Sequence, residues 1–244
     1  MLLAIDVGNT RIKSAVFEDN TLLRVFNIEY TAVIEKTHII LQEYPEIKTF
    51  VISSVGNLDQ SFFDYFEEKV TIYQISRNCL FPFQNSYSTP ETLGIDRMVL
   101  ASGAVIQFAN QNRLVIDAGT CITYDFIDEN DTYLGGAISP GIRLRYDSLH
   151  QQTAKLPLLT KDYPQNFIGN STQEAIHSGV INGVTLEING FIELYTSQYP
   201  KFIIILTGGD SEFLAKRLKN TIFANSNFLL ESLNQTFQYN QKND

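Results

Sequence analysis

Alternating and apolar segments fill the first half of the chain, with polar residues between them. An apolar run at residues 2–5 ends in a turn signal, and alternating segments follow at 12–17 and 22–30. The polar residues 18–20 separate the two alternating segments, so the pattern predicts a meander of three antiparallel strands. Beyond this meander, the pattern predicts a helix at 31–43, a buried strand at 50–55, a helix at 61–69, a strand at 71–75 and a helix at 94–108.

The second half opens with a near-copy of the first strand and its turn. Residues 5–10 read Ile-Asp-Val-Gly-Asn-Thr, and residues 116–120 read Ile-Asp-Ala-Gly-Thr. Both copies continue into an alternating segment and an acidic turn, at 18–20 and at 128–131. Their separation is close to half of the 244-residue chain, and similarity at that interval indicates a duplicated domain with a joint near 110–113.

The remaining pattern of the second half is typical of an α/β domain. It predicts a glycine-rich approach at 134–141 to a helix from about 142, a long helical stretch at 171–199, a buried strand at 202–206 and a helix at 211–218. Ser171 and Glu174 match the capping-box pattern at the start of the long stretch. We therefore predict an α/β protein with two domains, residues 1–111 and residues 112–244.

Charge and composition exclude several classes of protein. The formal net charge of −9 argues against a nucleic-acid surface, because such surfaces neutralise phosphates with clustered Lys and Arg. A single bound nucleotide needs only local N–H donors and a cation. The two widely spaced cysteines, Cys79 and Cys121, are typical of a reducing compartment rather than a disulfide framework. The sequence carries no signal-peptide pattern and no apolar run of about 20 residues, so we expect a soluble cytoplasmic protein with no membrane partner.

The turn after the first predicted strand is a candidate phosphate-binding loop. Gly8 permits a tight turn in which successive N–H groups face an anion, and Asn9 and Thr10 add polar side chains. Lys13 supplies a positive charge, and Asp6 at the strand end suits a hydrated Mg²⁺ that bridges the phosphates. An ordinary turn with a solvated aspartate is the alternative for one such loop, and the second copy favours nucleotide binding.

The second copy supplies a further carboxylate and a hydroxyl. Asp117 at a strand end is a hard-oxygen ligand for a cation beside a nucleotide, and Thr120 is placed to bond a phosphate. A buried structural threonine is the alternative for Thr120. After the last predicted strand, residues 207–210 read Thr-Gly-Gly-Asp. Paired glycines there allow close approach to a base or ribose, although such turns are common.

Gly-Ile-Asp-Arg at residues 94–97 opens a predicted helix and carries the candidate general base. From composition alone, an acid on a first turn is explained by the helix dipole. In a functional interpretation, Asp96 takes the proton from an attacking hydroxyl and Arg97 binds an acidic acceptor. Phosphoryl transfer needs mainly positioning and charge stabilisation, so one base of this kind suffices. The absence of Walker A and Gly-x-Gly-x-x-Gly patterns disfavours P-loop, protein-kinase and Rossmann proteins.

Four motifs in this order resemble type III pantothenate kinases, at residues 6–10, 94–97, 117–120 and 135–141. The segments 153–157 and 171–179 also fit, and the resemblance extends from residue 2 to about residue 210. It implies an actin-like ATPase architecture of two ribonuclease-H-like domains, each a mixed sheet flanked by helices, with ATP between them. It also implies ATP-dependent phosphorylation of pantothenate at its terminal hydroxyl, the first step of coenzyme A synthesis.

The resemblance also implies roles for individual residues. The implied ATP-binding residues are Asp6, Val7, Gly8, Asn9, Thr10, Arg11, Ile12, Lys13 and Thr120. The implied acceptor-binding residues are Tyr87, Gly94, Ile95, Asp96, Arg97 and Thr172. Thr172 matches a residue that closes the acceptor pocket across a homodimer interface. Asp96 matches the catalytic base, and Asp117 matches the ligand of a monovalent cation, K⁺ or NH₄⁺, needed beside the Mg²⁺ of ATP.

Two other functions stay open on the residues alone. A sugar-type kinase of the same superfamily would carry similar ATP loops, but a sugar pocket would offer several Asn, Asp and Glu groups, and residues 87–97 offer few. A non-catalytic nucleotide-binding regulator would be expected to have lost one of Asp6, Asp96 and Asp117, all of which are present. The leading hypothesis is therefore a pantothenate kinase that uses Asp96 as its base.

Overall fold

The computed structural model describes residues 1–8, 11–54, 58–220 and 222–243. The strands are β1 (Leu2–Val7), β2 (Ile12–Glu18), β3 (Thr21–Ile28), β4 (Thr49–Ser54), β5 (Thr71–Gln74), β6 (Gln84–Asn85), β7 (Arg113–Ala118), β8 (Cys121–Ile127), β9 (Thr132–Pro140), β10 (Ile203–Thr207) and β11 (Phe223–Ala224). The helices are α1 (Val33–Glu43), α2 (Gln60–Phe66), α3 (Ile95–Gln107), α4 (Ile142–Gln151), α5 (Thr172–His177), α6 (Gly183–Gln198), α7 (Ser211–Ala215) and α8 (Phe228–Asn243). Within these described ranges, no helix combines the length and apolar character that a membrane span requires.

The chain divides into two compact units, and each unit is built from more than one segment of the sequence. Unit 1 comprises residues 1–109, 131–133 and 227–244, and unit 2 comprises residues 110–130 and 134–226. Helix α8, the last element of the chain, therefore belongs to unit 1. The division into residues 1–111 and 112–244, which concerns the ancestry of the repeat, stays a prediction.

Unit 1 is built on a five-stranded mixed sheet with the order β3-β2-β1-β4-β5. β1 pairs antiparallel with β2, and β2 pairs antiparallel with β3, which confirms the predicted meander. β4 pairs parallel with β1, and β5 pairs parallel with β4. The short β6 pairs parallel with Thr132 and Tyr133, which lie with it in unit 1.

The two faces of β1 are covered by different helices, because successive side chains of a strand point to opposite faces. Leu3 and Ile5 pack into a core with residues of α1 and α2. Leu2 and Ala4 pack into a second core with residues of α3 and α8. Asp6 continues this second series, so its carboxylate lies on the face that α3 and α8 cover.

Unit 2 repeats the same strand order, β9-β8-β7-β10-β11. β8 is antiparallel to β7, and β10 and β11 continue the sheet in parallel. The core combines alternate residues of β7 and β8 with residues of α4, α5, α6 and α7. Two mixed sheets flanked by helices confirm the predicted fold class, and their common order agrees with the repeat found in the sequence.

Two segments of the second half differ from their predicted structure. Residues 134–140, predicted as an approach to a helix, belong to strand β9. A Cβ atom at Gly136 would lie 1.5 Å from the carbonyl oxygen of Tyr124, so the glycine is needed where β9 passes close to β8. The predicted long helix at 171–199 is α5, a π-helical turn at Ser178–Asn182 and α6 in direct succession. Ser171 accepts a hydrogen bond from the Glu174 amide at 3.2 Å, as the capping pattern predicts.

Candidate active site

Asp6, at the end of β1, has a polar residue beside it on each neighbouring strand. It is in register with Lys13 on β2 and with Ser53 on β4, and residues in register on adjacent strands share a face. Asp6 is only 9% exposed and Ser53 is fully buried. The Ser53 hydroxyl has no hydrogen-bond partner among the described residues. The strand end therefore holds a carboxylate, an amine and an unsatisfied hydroxyl on one face.

The environment of Asp6 opposes its ionisation. The pKa of Asp6 is raised to about 7, chiefly by burial and then by the negative charge of Asp96, while Lys13 acts in the opposite direction. Asp6 and Asp96 are thus close enough to repel each other. Two carboxylates and a buried hydroxyl are oxygen donors of the kind that Mg²⁺ prefers, and a cation there would remove the repulsion. Across the described ranges, no cluster of three or more His, Cys, Asp or Glu side chains is arranged to hold a metal ion.

The turn after β1 is anchored by a residue that the sequence did not single out. The Tyr30 hydroxyl donates a hydrogen bond to the Gly8 carbonyl. Val7 and Ile12, predicted to bind ATP, pair across the strands and are fully buried in the core, so only their main chains are available to a nucleotide. Arg11 is exposed, and the predicted Asn9 and Thr10 lie outside the described residues.

Asp96 lies in the first turn of α3, with Gly94 as the N-cap residue. Its Oδ1 accepts a hydrogen bond from the main-chain amide of Arg97 at 2.9 Å. A Cβ atom at position 94 would lie 2.3 Å from that same Oδ1. The carboxylate therefore folds back over Gly94, and a side chain at this position would displace it.

Three other residues predicted to bind the acceptor lie near Asp96 in the structure. Arg97 is only 5% exposed, and its guanidinium carbon lies 5.7 Å from the centre of the Tyr87 ring. Ile95 packs against the core shared by α3 and α8. Arg77, which no sequence pattern indicated, donates from Nη2 to the Leu93 carbonyl at 2.7 Å and so ties down the chain before Gly94. Unit 1 therefore brings Tyr87, Gly94, Asp96 and Arg97 together.

Asp117, at the end of β7, occupies in unit 2 the place that Asp6 has in unit 1. It is in register with Thr123 on β8 and with Thr207 on β10. Thr207 is fully buried, and its hydroxyl has no hydrogen-bond partner among the described residues. Gly208 has a φ of +93°, and a Cβ atom there would lie 2.4 Å from Asp117 Oδ1. One carboxylate, one hydroxyl and nearby main-chain carbonyls form an oxygen set that suits a monovalent cation.

Three separate loops of unit 2 meet at Asp117. The Gly141 amide donates to the Thr120 carbonyl at 3.0 Å, and the Asp210 amide donates to the Ala118 carbonyl at 2.9 Å. A Cβ atom at Gly141 would lie 2.2 Å from the Gly119 carbonyl oxygen. The loops at 117–120, 139–141 and 207–210 therefore form one cluster, and Thr120 is exposed at its surface.

Thr172 is the first residue of α5 and lies on a groove of unit 2. The groove has a volume of about 690 Å³. Its lining is mainly aliphatic and consists of Pro140, Leu144, Arg145, Ser148, Leu149, Leu156, Thr172, Ala175, Ile176, Gly179 and Val180. Arg145 is held by Glu187, whose carboxylate lies 2.6 Å from Nη2. Thr172 is exposed on this groove, so its hydroxyl is available to a ligand or a second chain.

Solved structures of low sequence identity share this fold. The activator of the 2-hydroxyisocaproyl-CoA dehydratase from Clostridium difficile, with bound ADPNP, aligns with a TM-score of 0.57 and 13% identity over 99% of this chain and 96% of that chain. A ROK family glucokinase from Streptomyces griseus, in complex with glucose and AMPPNP, gives a TM-score of 0.55 and 12% identity over 99% of both chains. At these identities the likeness shows the fold alone.

Sequence comparison is more specific. The family model for type III pantothenate kinase matches residues 2–194. A type III pantothenate kinase from Flavobacterium johnsoniae is 61% identical over 244 residues, which cover 100% of both chains. Both matches include β1, the acceptor segment and residues 117–120. The chain therefore belongs to the type III pantothenate kinase family, and it is a kinase.

Proposed function

We propose that this kinase transfers the γ-phosphoryl group of ATP to the terminal hydroxyl of pantothenate, forming 4'-phosphopantothenate in the first step of coenzyme A synthesis. The acceptor segment of unit 1 carries the proposal. Asp96 is held at the start of α3 by the Arg97 amide, and Arg97 itself is buried beside the Tyr87 ring. A carboxylate base next to a buried guanidinium suits an acceptor that has both a hydroxyl and a carboxylate.

Asp96 acts as the general base in this proposal. Its carboxylate accepts the proton of the acceptor hydroxyl as the hydroxyl oxygen bonds to the γ-phosphorus, and the bond from that phosphorus to the bridging oxygen of ADP breaks in line. Arg97 binds the acceptor carboxylate, and the Tyr87 ring supports one side of the guanidinium. Because Gly94 leaves room for the Asp96 carboxylate, the base keeps one position throughout the transfer.

The proposed nucleotide-binding residues lie near the ends of the first strands of each unit. In unit 1, the main chain around Gly8 and Lys13 would bind phosphates, and Asp6 with the Ser53 hydroxyl would hold Mg²⁺. In unit 2, Thr120 would bind a phosphate, and Asp117 with Thr207 would hold K⁺ or NH₄⁺. Mg²⁺ supplies neutralisation of the charge that develops on the phosphates. The unsatisfied hydroxyls of Ser53 and Thr207 support these two cation roles.

A homodimer completes the acceptor pocket in this proposal, with Thr172 of one subunit closing the pocket of the other. Unit 2 offers an apolar surface for such an interface. Leu186 is 70% exposed and Leu194 is 66% exposed on α6, and Ile138 on β9 is 61% exposed. Large apolar side chains exposed on one chain are candidates for contact with a second chain. The two widely spaced cysteines support a reducing, cytoplasmic location.

The test is ATP-dependent phosphorylation by purified protein in Mg²⁺ and K⁺, with pantothenate and a panel of sugars as competing acceptors. We expect turnover of pantothenate alone. Turnover of a sugar instead would keep the ATP-binding roles and reject the acceptor assignment. Failure to phosphorylate any acceptor, with ATP still bound, would favour a nucleotide-binding regulator.

A further inference from the structure

Helix α8, which the sequence left without a role, presents a row of buried polar side chains to the rest of unit 1. Ser232, Asn234, Thr236 and Asn240 are each at most 1% exposed. A buried polar group is destabilising unless it is hydrogen-bonded, so such a row indicates specific partners. Thr236 Oγ1 lies 2.9 Å from Ser102 Oγ on α3. The helix therefore makes directed contacts with the element that carries Asp96.

Asn240 makes the most specific of these contacts. Its Oδ1 accepts a hydrogen bond from the Leu80 amide at 2.8 Å, and its Nδ2 donates to the Leu80 carbonyl at 2.9 Å. Nδ2 also donates to the Thr236 carbonyl of its own helix at 2.8 Å. One side chain thus pairs with both the N–H and the C=O of Leu80, as a neighbouring strand would. These two bonds fix the position and the orientation of the Leu80 main chain.

The segment that follows Leu80 leads to the proposed acceptor site. Before Tyr87 it contains the two-residue strand β6, where the amides of Gln84 and Ser86 donate to the Asp131 and Tyr133 carbonyls at 2.9 and 3.0 Å. The residues between Leu80 and β6 have no helix or strand structure. Aromatic contacts continue from the fixed end. The rings of Phe81 and Phe83 are 5.6 Å apart, and Tyr133 is 5.9 Å from Phe83 and 6.1 Å from Tyr87. A displacement at Leu80 would therefore be transmitted to Tyr87, and through Tyr87 to Arg97.

We propose that Asn240 is a positioning residue for acceptor binding, which acts by holding Leu80 and hence the Tyr87–Arg97 pair in place. Asn240 touches neither the acceptor nor the nucleotide in this role. Its loss should weaken acceptor binding and leave ATP binding unchanged. The inference deepens the proposed function and rests on it for the identity of the acceptor.

Asn234 provides a matched control on the same helix. It is as buried as Asn240, but its Nδ2 donates to the Asp19 carbonyl at 2.9 Å, in the turn between β2 and β3. Replacing either asparagine by alanine removes a buried side-chain amide from α8. Only Asn240→Ala releases the acceptor segment, so the pair separates positioning from a general loosening of the helix.

We expect Asn240→Ala to raise the KM for pantothenate about tenfold, with the KM for ATP within about twofold of wild type. Asn234→Ala should lower the melting temperature by a similar amount and leave both KM values unchanged. If Asn240→Ala does not fold, Asn240→Asp keeps the size and the bond from the Leu80 amide, and should still raise the pantothenate KM about threefold. Equal KM changes in the two alanine variants, or no change in the Asn240 variants, would overturn the proposal.

Amide hydrogen exchange tests the positioning role without any substrate. In wild type and Asn234→Ala, the Leu80 amide should be protected, and residues 81–87 should exchange slowly. In Asn240→Ala both should exchange at least about tenfold faster. Unchanged exchange at 81–87 would overturn the positioning role whatever acceptor the enzyme uses. Faster exchange together with no pantothenate turnover by wild type would instead reject the proposed function and keep the role of Asn240.

Discussion

The first strand of each unit carries an aspartate next to its last residue, and the two aspartates have different neighbours. Asp6 in unit 1 faces Lys13 across one strand pair and is close enough to Asp96 for their charges to repel. Asp117 in unit 2 is flanked in register by the hydroxyl residues Thr123 and Thr207. The backbone topology of the repeat has been kept, while the charges beside the aspartate have diverged. That divergence suits a divalent ion with phosphates at Asp6 and a weaker cation at Asp117.

The helices that end the two repeats, α3 and α8, also differ in charge. α3 carries Asp96 as its second residue, and α8 carries Leu229 at that position. Leu229 packs into the core with Leu2 and Ala4, so α8 has a structural role in unit 1. Only one copy of the repeat therefore has an acid placed for acceptor chemistry.

Removing the base should give the largest effect. We predict that Asp96→Asn retains the fold and ATP binding but lowers kcat by about 10²–10⁴-fold, because the amide cannot take the hydroxyl proton. Steady-state kinetics with pantothenate and ATP measures this. Glu91→Gln, an exposed acid in the same segment, is the control and should keep its turnover. Near-wild-type turnover of Asp96→Asn would reject the base assignment.

The raised pKa of Asp6 should make the stability of the nucleotide-free protein depend on pH. The folded pKa of about 7 lies above the usual 3.8, so protonation of Asp6 favours the folded state. Its contribution is complete below about pH 4 and is lost as the pH rises through 7. Relative to wild type, Asp6→Asn should therefore gain on the order of 4 kcal/mol in unfolding free energy between pH 4 and pH 8. Urea unfolding at several pH values measures the unfolding free energy of both proteins. If the two free energies change with pH in parallel, the buried-carboxylate interpretation is contradicted.

Asp117 should confer dependence on the monovalent cation. If Asp117 holds K⁺ as proposed, replacing K⁺ by the smaller Na⁺ should lower wild-type turnover by about tenfold or more, because cavity size and ligand number decide which cation a site accepts. Asp117→Asn should be slow in both salts and lose the distinction between them. Turnover rates in matched ionic strength measure this, and equal wild-type rates in the two salts would remove the cation role from Asp117.

Disturbing the contact between α3 and α8 should give the smallest effect. A Cβ atom at Gly103 of α3 would lie 1.9 Å from Ser232 Oγ of α8, so Gly103→Ala should destabilise the protein by about 1–3 kcal/mol through overpacking. The double variant Gly103→Ala/Ser232→Gly reopens the space and should recover part of that loss. A thermal-unfolding cycle measures the coupling, and strictly additive losses would show that the helices do not meet at these residues.

Local sequence patterns were enough for much of the fold. The alternation at 12–17 and 22–30 predicted the β2–β3 pair because strand faces differ in polarity, and the two Ile-Asp-x-Gly copies predicted the repeat. The contacts of Tyr30 with Gly8, Arg77 with Leu93 and Asn240 with Leu80 could not be predicted, because each joins residues far apart in sequence. Nor did any motif mark α8, whose buried face includes the polar residues Ser232, Asn234, Thr236 and Asn240 beside its apolar ones.

The packing of α8 has a consequence for how the protein is made. Leu230 and Leu233 of α8 belong to the same core as Leu2 and Ala4 of β1. This core therefore cannot be completed until α8 has been synthesised. At translation rates of about 5–20 residues per second, that helix leaves the ribosome on the order of ten seconds or more after the first strand. Until then, of the two helices α3 and α8 on that face of the sheet, only α3 is present, whereas the whole sequence of unit 2 precedes α8. Unit 2 is therefore able to finish folding before unit 1.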